Sequence, residues 1–434
     1  MTLVEGSLYI PENVSERGTS GVLEAPTNVP EPGVEQIISF KPKPGDFSVD
    51  FLDPNKFNLF MDDELQRQNS ESSWTQERLK PKITPLGLKG YFNPAVIPRS
   101  DGTITLLARQ VGKPAEHGRP DMGPLVEITL KHDGSEYQVL EKQQIWKPED
   151  SPQALIEDVR ALNDPKGENK QVFLGATVVV DRTVVDEFGQ KKVEPAAYGA
   201  IAILDDETQI SDAPQRFRIC PELGIGKNMT PIDMNGNFLF REEGVDGDHN
   251  FILSVIHYDE ATDTVTKTGE LDFREQMKGV PWGNWRIGTT AAMLTDEKIQ
   301  TLVIHGIRTE KVPQSPDGNM YYYSIGIACL EKQEDGTLRI VGVDPQPMVT
   351  PDDFSDESKK RLGEQLHPNL RDATYLCGIV KQTDGNGNES IDQFISYGDT
   401  ETMLASISVN DIKERTQQIY ASQRLQSESL PKVA

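Results

Sequence analysis

Between residues 83 and 415 the apolar positions fall in short runs rich in β-branched and aromatic side chains, each bounded by turn signals. That is the pattern of strands rather than of helices. Ile104-Thr-Leu-Leu-Ala, Gln171-Val-Phe-Leu-Gly-Ala-Thr-Val-Val-Val, Phe251-Ile-Leu-Ser-Val-Ile and Thr301-Leu-Val-Ile-His are such runs. Asp101-Gly102, Asp133-Gly134, Asn235-Gly236 and Asp335-Gly336 write the tight turns. Nowhere does a strand pattern alternate with a long amphipathic helix, which speaks against a parallel α/β sheet and for an all-β fold.

A coarse repeat sharpens this expectation. Each unit opens with a polar cluster and an apolar strand, followed by a turn and a second strand that ends in a polar residue. The openings are Phe92-Asn-Pro-Ala-Val-Ile, Ile156-Glu-Asp-Val-Arg-Ala-Leu, Gly226-Lys-Asn-Met-Thr-Pro-Ile, Arg286-Ile-Gly-Thr-Thr-Ala-Ala-Met-Leu and Ala373-Thr-Tyr-Leu-Cys-Gly-Ile-Val. Anchored on Asn93, Asp158, Asn228, Gly288 and Gly378, they lie 60 to 90 residues apart, the last interval carrying a polar insertion near Pro351 to Asn369. Units of this length suit four-stranded blades, so a five-bladed β-propeller is the expected fold, with a β-sandwich as the alternative. In a propeller the equivalent ends of all five units converge on one pocket, and the scattered polar openings would share a site.

The flanks read differently. Residues 1–82 are polar and broken by seven prolines between Pro11 and Pro54, which predicts an extended N-terminal arm. Residues 416–434 are polar and are expected to form a C-terminal tail or short helix. An arm of this kind suits packing on a neighbouring subunit, so a homo-oligomer stays open. The opening Met1-Thr-Leu-Val-Glu-Gly lacks a basic and an apolar leader segment, and no apolar run approaches a membrane span, so a cytoplasmic protein is expected. Cys220, Cys329 and Cys377 are far apart, without metal-ligand spacing, and are expected to be reduced and mostly buried.

The formal charge of −25 argues against nucleic acid or an anionic membrane as partner. It leaves room for a small anion held by a local cluster of Arg and Lys. No glycine-rich loop follows a strand in the way that cradles nucleotides, so no organic cofactor is implied, and no His, Cys or carboxylate spacing spells a metal site. Asp384-Gly-Asn-Gly-Asn-Glu resembles a calcium loop but lacks Gly at the sixth position, and a hairpin turn is the simpler reading.

Several stretches, in the right order from about residue 88 to 412, resemble the mannoside phosphorylases grouped as glycoside hydrolase family 130. They are Phe92-Asn-Pro-Ala-Val-Ile with Leu106-Leu-Ala-Arg109; Glu157-Asp158-Val159-Arg160; Lys227-Asn228, Asn235-Gly236 and Arg241; Arg286-Ile-Gly with Val303-Ile-His305-Gly306; and Tyr397-Gly398-Asp399-Thr400 with Leu404-Ala405. Val159 stands where the family carries Pro, Lys227 where an Arg is common, and the fifth opening matches little. The resemblance implies a five-bladed propeller that cleaves a β-mannoside with inorganic phosphate, inverting the anomeric carbon. Asp158 would then be the catalytic acid, its proton passing through a sugar hydroxyl. Phosphate brings its own nucleophilic oxygen, so a base-like carboxylate is not required, but a basic cradle is. Lys227, Asn228, Arg241 and Arg286 are the candidates for it. Asn93, Arg109, Glu157, Arg160, His305, Tyr397 and Asp399 are the candidate sugar contacts.

Each assignment has a plainer competitor. Asp158 and Arg160 would serve equally as a buried ion pair, Arg109 and Arg241 as solvated strand ends, and His305 as a core histidine. Trp282 and Trp285 suit either a sugar face or a loop core. Glu242 and Glu243, beside Arg241, keep a hydrolytic base in play. A β-mannoside hydrolase and a non-catalytic glycan-binding propeller therefore stand as alternatives.

Overall fold

The computed structural model describes residues 78–429, apart from segments 112–122, 148–153, 164–170, 186–189, 206–209, 244–249, 284–285, 296–298, 312–318 and 355–371 and the turn positions 135, 279, 335 and 385. The arm expected over 1–82 lies outside the described residues up to 77, as does Trp285. The chain that is described is mostly β-strand, with few helices.

Strand β1 (Lys82–Lys89) is followed by β2 (Tyr91–Pro98), β3 (Thr103–Gln110), β4 (Leu125–His132) and β5 (Tyr137–Trp146), and β2 to β5 pair in chain order as one antiparallel sheet. The same pattern recurs in β6 (Ala154–Asn163), β7 (Val172–Val185), β8 (Lys191–Leu204) and β9 (Arg218–Ile219), with the one-turn helix α1 (Ala213–Arg216) before β9. It recurs again in β10 (Gly226–Pro231), β11 (Asn237–Glu242), β12 (Ile252–Asp259) and β13 (Thr264–Asp272). The remaining strands are β14 (Arg286–Thr295), β15 (Ile299–Lys311), β16 (Asn319–Lys332), β17 (Leu338–Val343), β18 (Asp372–Thr383), β19 (Glu389–Tyr397) and β20 (Glu401–Ser408). They form an eight-stranded sheet with β1, joined in its middle by two parallel residue pairs, Tyr322–Asp372 and Tyr323–Ala373. On either side of that junction lies another antiparallel four: β14 to β17, and β18 to β20 completed by β1.

Burial orders each group from inside to outside. The first strands β2 and β10 are buried almost throughout, whereas β5 and β13, at the far edges, are mostly exposed. Apolar clusters fill the seams between successive groups, and one of them joins Val96, Leu106 and Ile128 of the first group to Val380, Phe394 and Leu404 of the last. Removing this apolar surface from water supplies the main drive for packing the sheets, about 1.5–3 kcal/mol per large side chain.

The last described element is helix α2 (Val409–Ser429), which begins before the expected tail at 416. Its composition is polar, but Ile412, Ile419 and Tyr420 recur at helical spacing and are buried against the seam of the last two groups. Arg415 pairs with the buried Asp344 at 3.3 Å, Thr416 bonds Thr301 at 2.7 Å, and the Tyr420 hydroxyl donates to Glu331 at 2.9 Å. A narrow apolar stripe and three polar ties thus dock a segment whose average polarity reads as solvated. No helix among the described residues is long and apolar enough to cross a membrane.

Candidate functional site

Each first strand carries a bulge near its middle. The register slips between Phe92 and Ala95, Glu157 and Arg160, Lys227 and Thr230, Thr289 and Ala291, and Leu376 and Gly378. A bulge turns a side chain out of the strand's alternation and aims it elsewhere. In the first three groups the turned residue is left-handed: Asn93 at φ 48°, Asp158 at 51° and Asn228 at 62°. Asn and Asp are the side chains that tolerate this region best, so the repeat anchors are polar for a backbone reason as well as a chemical one. Asp399, at φ 53° after Gly398 at 60°, is aimed the same way by the β19–β20 turn.

Asn93, Asp158 and Asp399 meet. Asn93 donates from Nδ2 to Asp158 Oδ1 at 2.8 Å and to Asp399 Oδ1 at 3.4 Å. Arg109 reaches Asp158 at 3.3 Å and Glu157 at 3.5 Å, and lies over the Phe92 ring. Lys227 reaches the other oxygen of Glu157 at 3.3 Å. Glu157 is buried between its two cations, while Asp158 and Asp399 are only partly covered and are the carboxylates of the cluster that face solvent. Arg160 is 1 % exposed, donates to the Val159 carbonyl at 3.0 Å and lies 4.8 Å from the centre of the Tyr375 ring. Burial alone would raise the pKa of Asp158. The positive charges of Arg109, Arg160 and Lys227, with the Asn93 hydrogen bond, outweigh it and hold the carboxyl below the usual range.

The other candidates take flanking places. Arg241 is buried opposite Lys227 in the β10–β11 register and contacts Glu243 at 3.5 Å. Arg286 opens β14, half-buried, with Nε donating to Asn250 at 3.0 Å. His305 is 1 % exposed, its ring 4.6 Å from that of Tyr375 and 6.0 Å from that of Tyr323. The Tyr397 ring stacks on Phe354 at 4.3 Å inside the core, and the Tyr397 carbonyl accepts from the Thr400 hydroxyl at 3.2 Å to brace the Asp399 turn.

Two open readings narrow, at Trp282 and Glu242, and the hairpin reading of Asp384 stands. Trp282 is a core residue: its ring lies against Gly306 and Gly326, and its Nε1 donates to the Asp344 carbonyl at 3.1 Å, so it offers no sugar platform. Glu242 turns toward β12 and β13, where it accepts from Ser254 and Lys267. Asp384 is a hairpin turn whose carboxylate is taken up by the turn's own donors, Asn386 and Asn388, as Asp233 is by Asn235 and Asn237.

Sequence reasoning missed Tyr375, Cys377 and Gly288. The Tyr375 hydroxyl donates to Asn228 Oδ1 at 2.6 Å, and the Cys377 thiol lies 3.6 Å from Asn93 Oδ1. A Cβ on Gly288 would stand 2.4 Å from His305 Cε1 and 2.8 Å from Asn228 Nδ2, so only glycine leaves room for both. The available signal was positional: Tyr375 and Cys377 occupy the fifth opening, and Gly288 anchors the fourth.

The chain matches no protein-family model and no curated protein. Among solved structures it is similar to a β-1,2-mannobiose phosphorylase from Listeria innocua, with a TM-score of 0.50 at 14% identity over 77% of this chain and 97% of that one. A mannose phosphorylase from Leishmania mexicana aligns at a TM-score of 0.43 and 10% identity, over 83% and 96% of the two chains. A glycosyl hydrolase from Bacteroides ovatus aligns at 0.43 and 12%, over 74% and 85%. At these identities the first likeness is one of fold.

Proposed function

We propose that the five antiparallel groups are the blades of a five-bladed β-propeller, and that the cluster around Asp158 is the active site of an inverting phosphorylase that cleaves a β-mannoside with inorganic phosphate. The observation that carries this reading is the set of three buried cations, Arg109, Arg160 and Lys227, gathered on one partly exposed carboxylate among residues from separate blades. Left empty, such a site holds Asp158 ionised. A phosphate dianion drawn in by Lys227, Asn228, Arg241 and Arg286 offsets the positive charge, lets Asp158 take up a proton, and so prepares it as the acid. The phosphate oxygen then bonds to the anomeric carbon as the glycosidic bond breaks, and the proton of Asp158 ends on the departing sugar oxygen. Asn93, Arg109 and Asp399 hold the sugar that is transferred.

The test is incubation with a panel of β-mannosides with and without phosphate, on the wild type and on Asp158→Asn, which keeps a left-handed-tolerant residue at the bulge. Sugar 1-phosphate should form only with phosphate, and the variant should lose about 10²–10⁴-fold in rate. One observation favours hydrolysis as the second reading: a single amide, Asn93, bridges the solvent-facing Asp158 and Asp399. Two nearby carboxylates are the equipment for activating water. Free mannose released independently of phosphate would transfer the assignment to that chemistry.

A further inference from the structure

Two carboxamides in the site present an ambiguity that the protein must resolve. An amide that points its oxygen rather than its NH₂ group inward accepts where it should donate. Asn93 has to donate to two carboxylates at once, and Asn228 has to donate to a bound anion. Both oxygens are held from the same strand. Tyr375 and Cys377 of β18 are two residues apart, and the bulge between Leu376 and Gly378 turns Cys377 out of the strand's alternation. The Tyr375 hydroxyl donates to Asn228 Oδ1 at 2.6 Å, and the Cys377 thiol reaches Asn93 Oδ1 at 3.6 Å, closer than its second acceptor, the Tyr375 carbonyl, at 3.8 Å.

The surroundings keep both donors in place. The Tyr375 ring is packed on one side by His305 and carries the Arg160 guanidinium 4.8 Å from its centre. Burial pushes the Cys377 thiol up to about 12, so it stays protonated at neutral pH and remains a donor. The Asn228 NH₂ group lies over Gly288, where the missing Cβ leaves it room. The backbones are pinned as well: Asn93 N donates to Ser396 Oγ, and Asn228 N to Thr177 Oγ1 at 3.2 Å.

We infer that β18 is an amide-orienting strand, in which Tyr375 and Cys377 are positioning residues: Tyr375 turns the NH₂ group of Asn228 toward phosphate, and Cys377 turns that of Asn93 toward Asp158 and Asp399, the carboxylates that meet the sugar. This rests on the phosphorylase reading for the identity of the ligands, but not for the orientation itself. Two measurements separate the claims. In protein labelled at asparagine nitrogen, the side-chain NH₂ resonances of Asn93 and Asn228 are assigned by Asn→Ala variants. Tyr375→Phe, which keeps the ring over Arg160, should move only the Asn228 pair, and Cys377→Ala only the Asn93 pair, with Cys377→Ser restoring it. In steady-state assays Tyr375→Phe should raise KM for phosphate about three- to tenfold and leave KM for the mannoside within about twofold, the size of one lost hydrogen bond. Cys377→Ala should act on the mannoside, by about two- to threefold because a thiol is a weak donor, and Cys377→Ser should reverse it. Amide resonances that ignore these substitutions overturn the proposal whether or not the enzyme turns over. A wild type that makes no sugar 1-phosphate overturns the functional reading, and the resonances still decide the orientation.

Discussion

Gly288→Ala tests the geometry at the point where it is tightest. The added Cβ would stand 2.4 Å from His305 Cε1, 2.7 Å from His305 Nε2 and 2.8 Å from Asn228 Nδ2. None of these is the loose end of a flexible chain. The His305 ring is 1 % exposed beside two tyrosines, and the Asn228 amide is held at its oxygen by Tyr375. Ordinary contact needs at least a further half ångström, so His305, Asn228 or the strand itself must give way. Overpacking of this kind costs about 1–3 kcal/mol. With a urea slope of about 3 kcal/mol/M, the unfolding midpoint should fall by about 0.3–1 M. Displacing Asn228 by several tenths of an ångström should also raise KM for phosphate about tenfold. The control is Gly269→Ala on the exposed strand β13, where the nearest atom to the new Cβ is Val255 Cβ at 4.0 Å. That variant should match or slightly exceed the wild type in stability, since Gly weakens a strand. Equal urea midpoints and phosphate KM for Gly288→Ala and the wild type would refute the packing argument and the placement of Asn228 with it.

Asp158→Asn should change the acid limb of stability. The folded pKa lies below the unfolded one, so ionised Asp158 contributes stability that is complete above the unfolded value, about pH 4, and is lost as pH falls through the folded value. The wild type should therefore lose more unfolding free energy than the variant between about pH 5 and pH 3, by urea titration at each pH; parallel losses would contradict the ion cluster. Trp282→Ala should cost about 3–5 kcal/mol as a core truncation and leave KM for any sugar near wild type in the folded fraction, whereas a sugar-stacking residue would show the reverse. Asp344→Ala removes the carboxylate paired with the buried Arg415 and should destabilise by about 3–5 kcal/mol, with α2 becoming sensitive to protease first. The paired replacement Asp344→Leu with Arg415→Met should recover most of that loss, and failure to recover would mean that the pair does more than neutralise itself.

Much of the architecture was legible because it is local. Strand runs and their Asp-Gly and Asn-Gly turns follow from backbone preferences that act over a few residues, and the unit openings mark where each group begins. Asn93, Asp158 and Asn228 stood out as repeat anchors because a bulged, left-handed position accepts Asn or Asp and rejects most other side chains. The same backbone preference that made them visible in the chain brings Asn93 to Asp158 at 2.8 Å. α2 was harder to see, because four apolar residues in a polar helix, Val409, Ile412, Ile419 and Tyr420, bury it only when the right seam is beside them.

What the sequence determined by itself was the strand content, the turn positions and the identity of the polar residues at the first three bulges. Only the tertiary structure decided which of them touch: Glu157 between Arg109 and Lys227, Trp282 in a core instead of a cleft, Glu242 turned to β13, and Tyr375 holding Asn228 across 147 residues of chain. The physical reason is one of range. Propensity and turn chemistry act on neighbours along the backbone, whereas charge pairing, amide orientation and the room left by Gly288 depend on side chains that meet only after the sheets have packed.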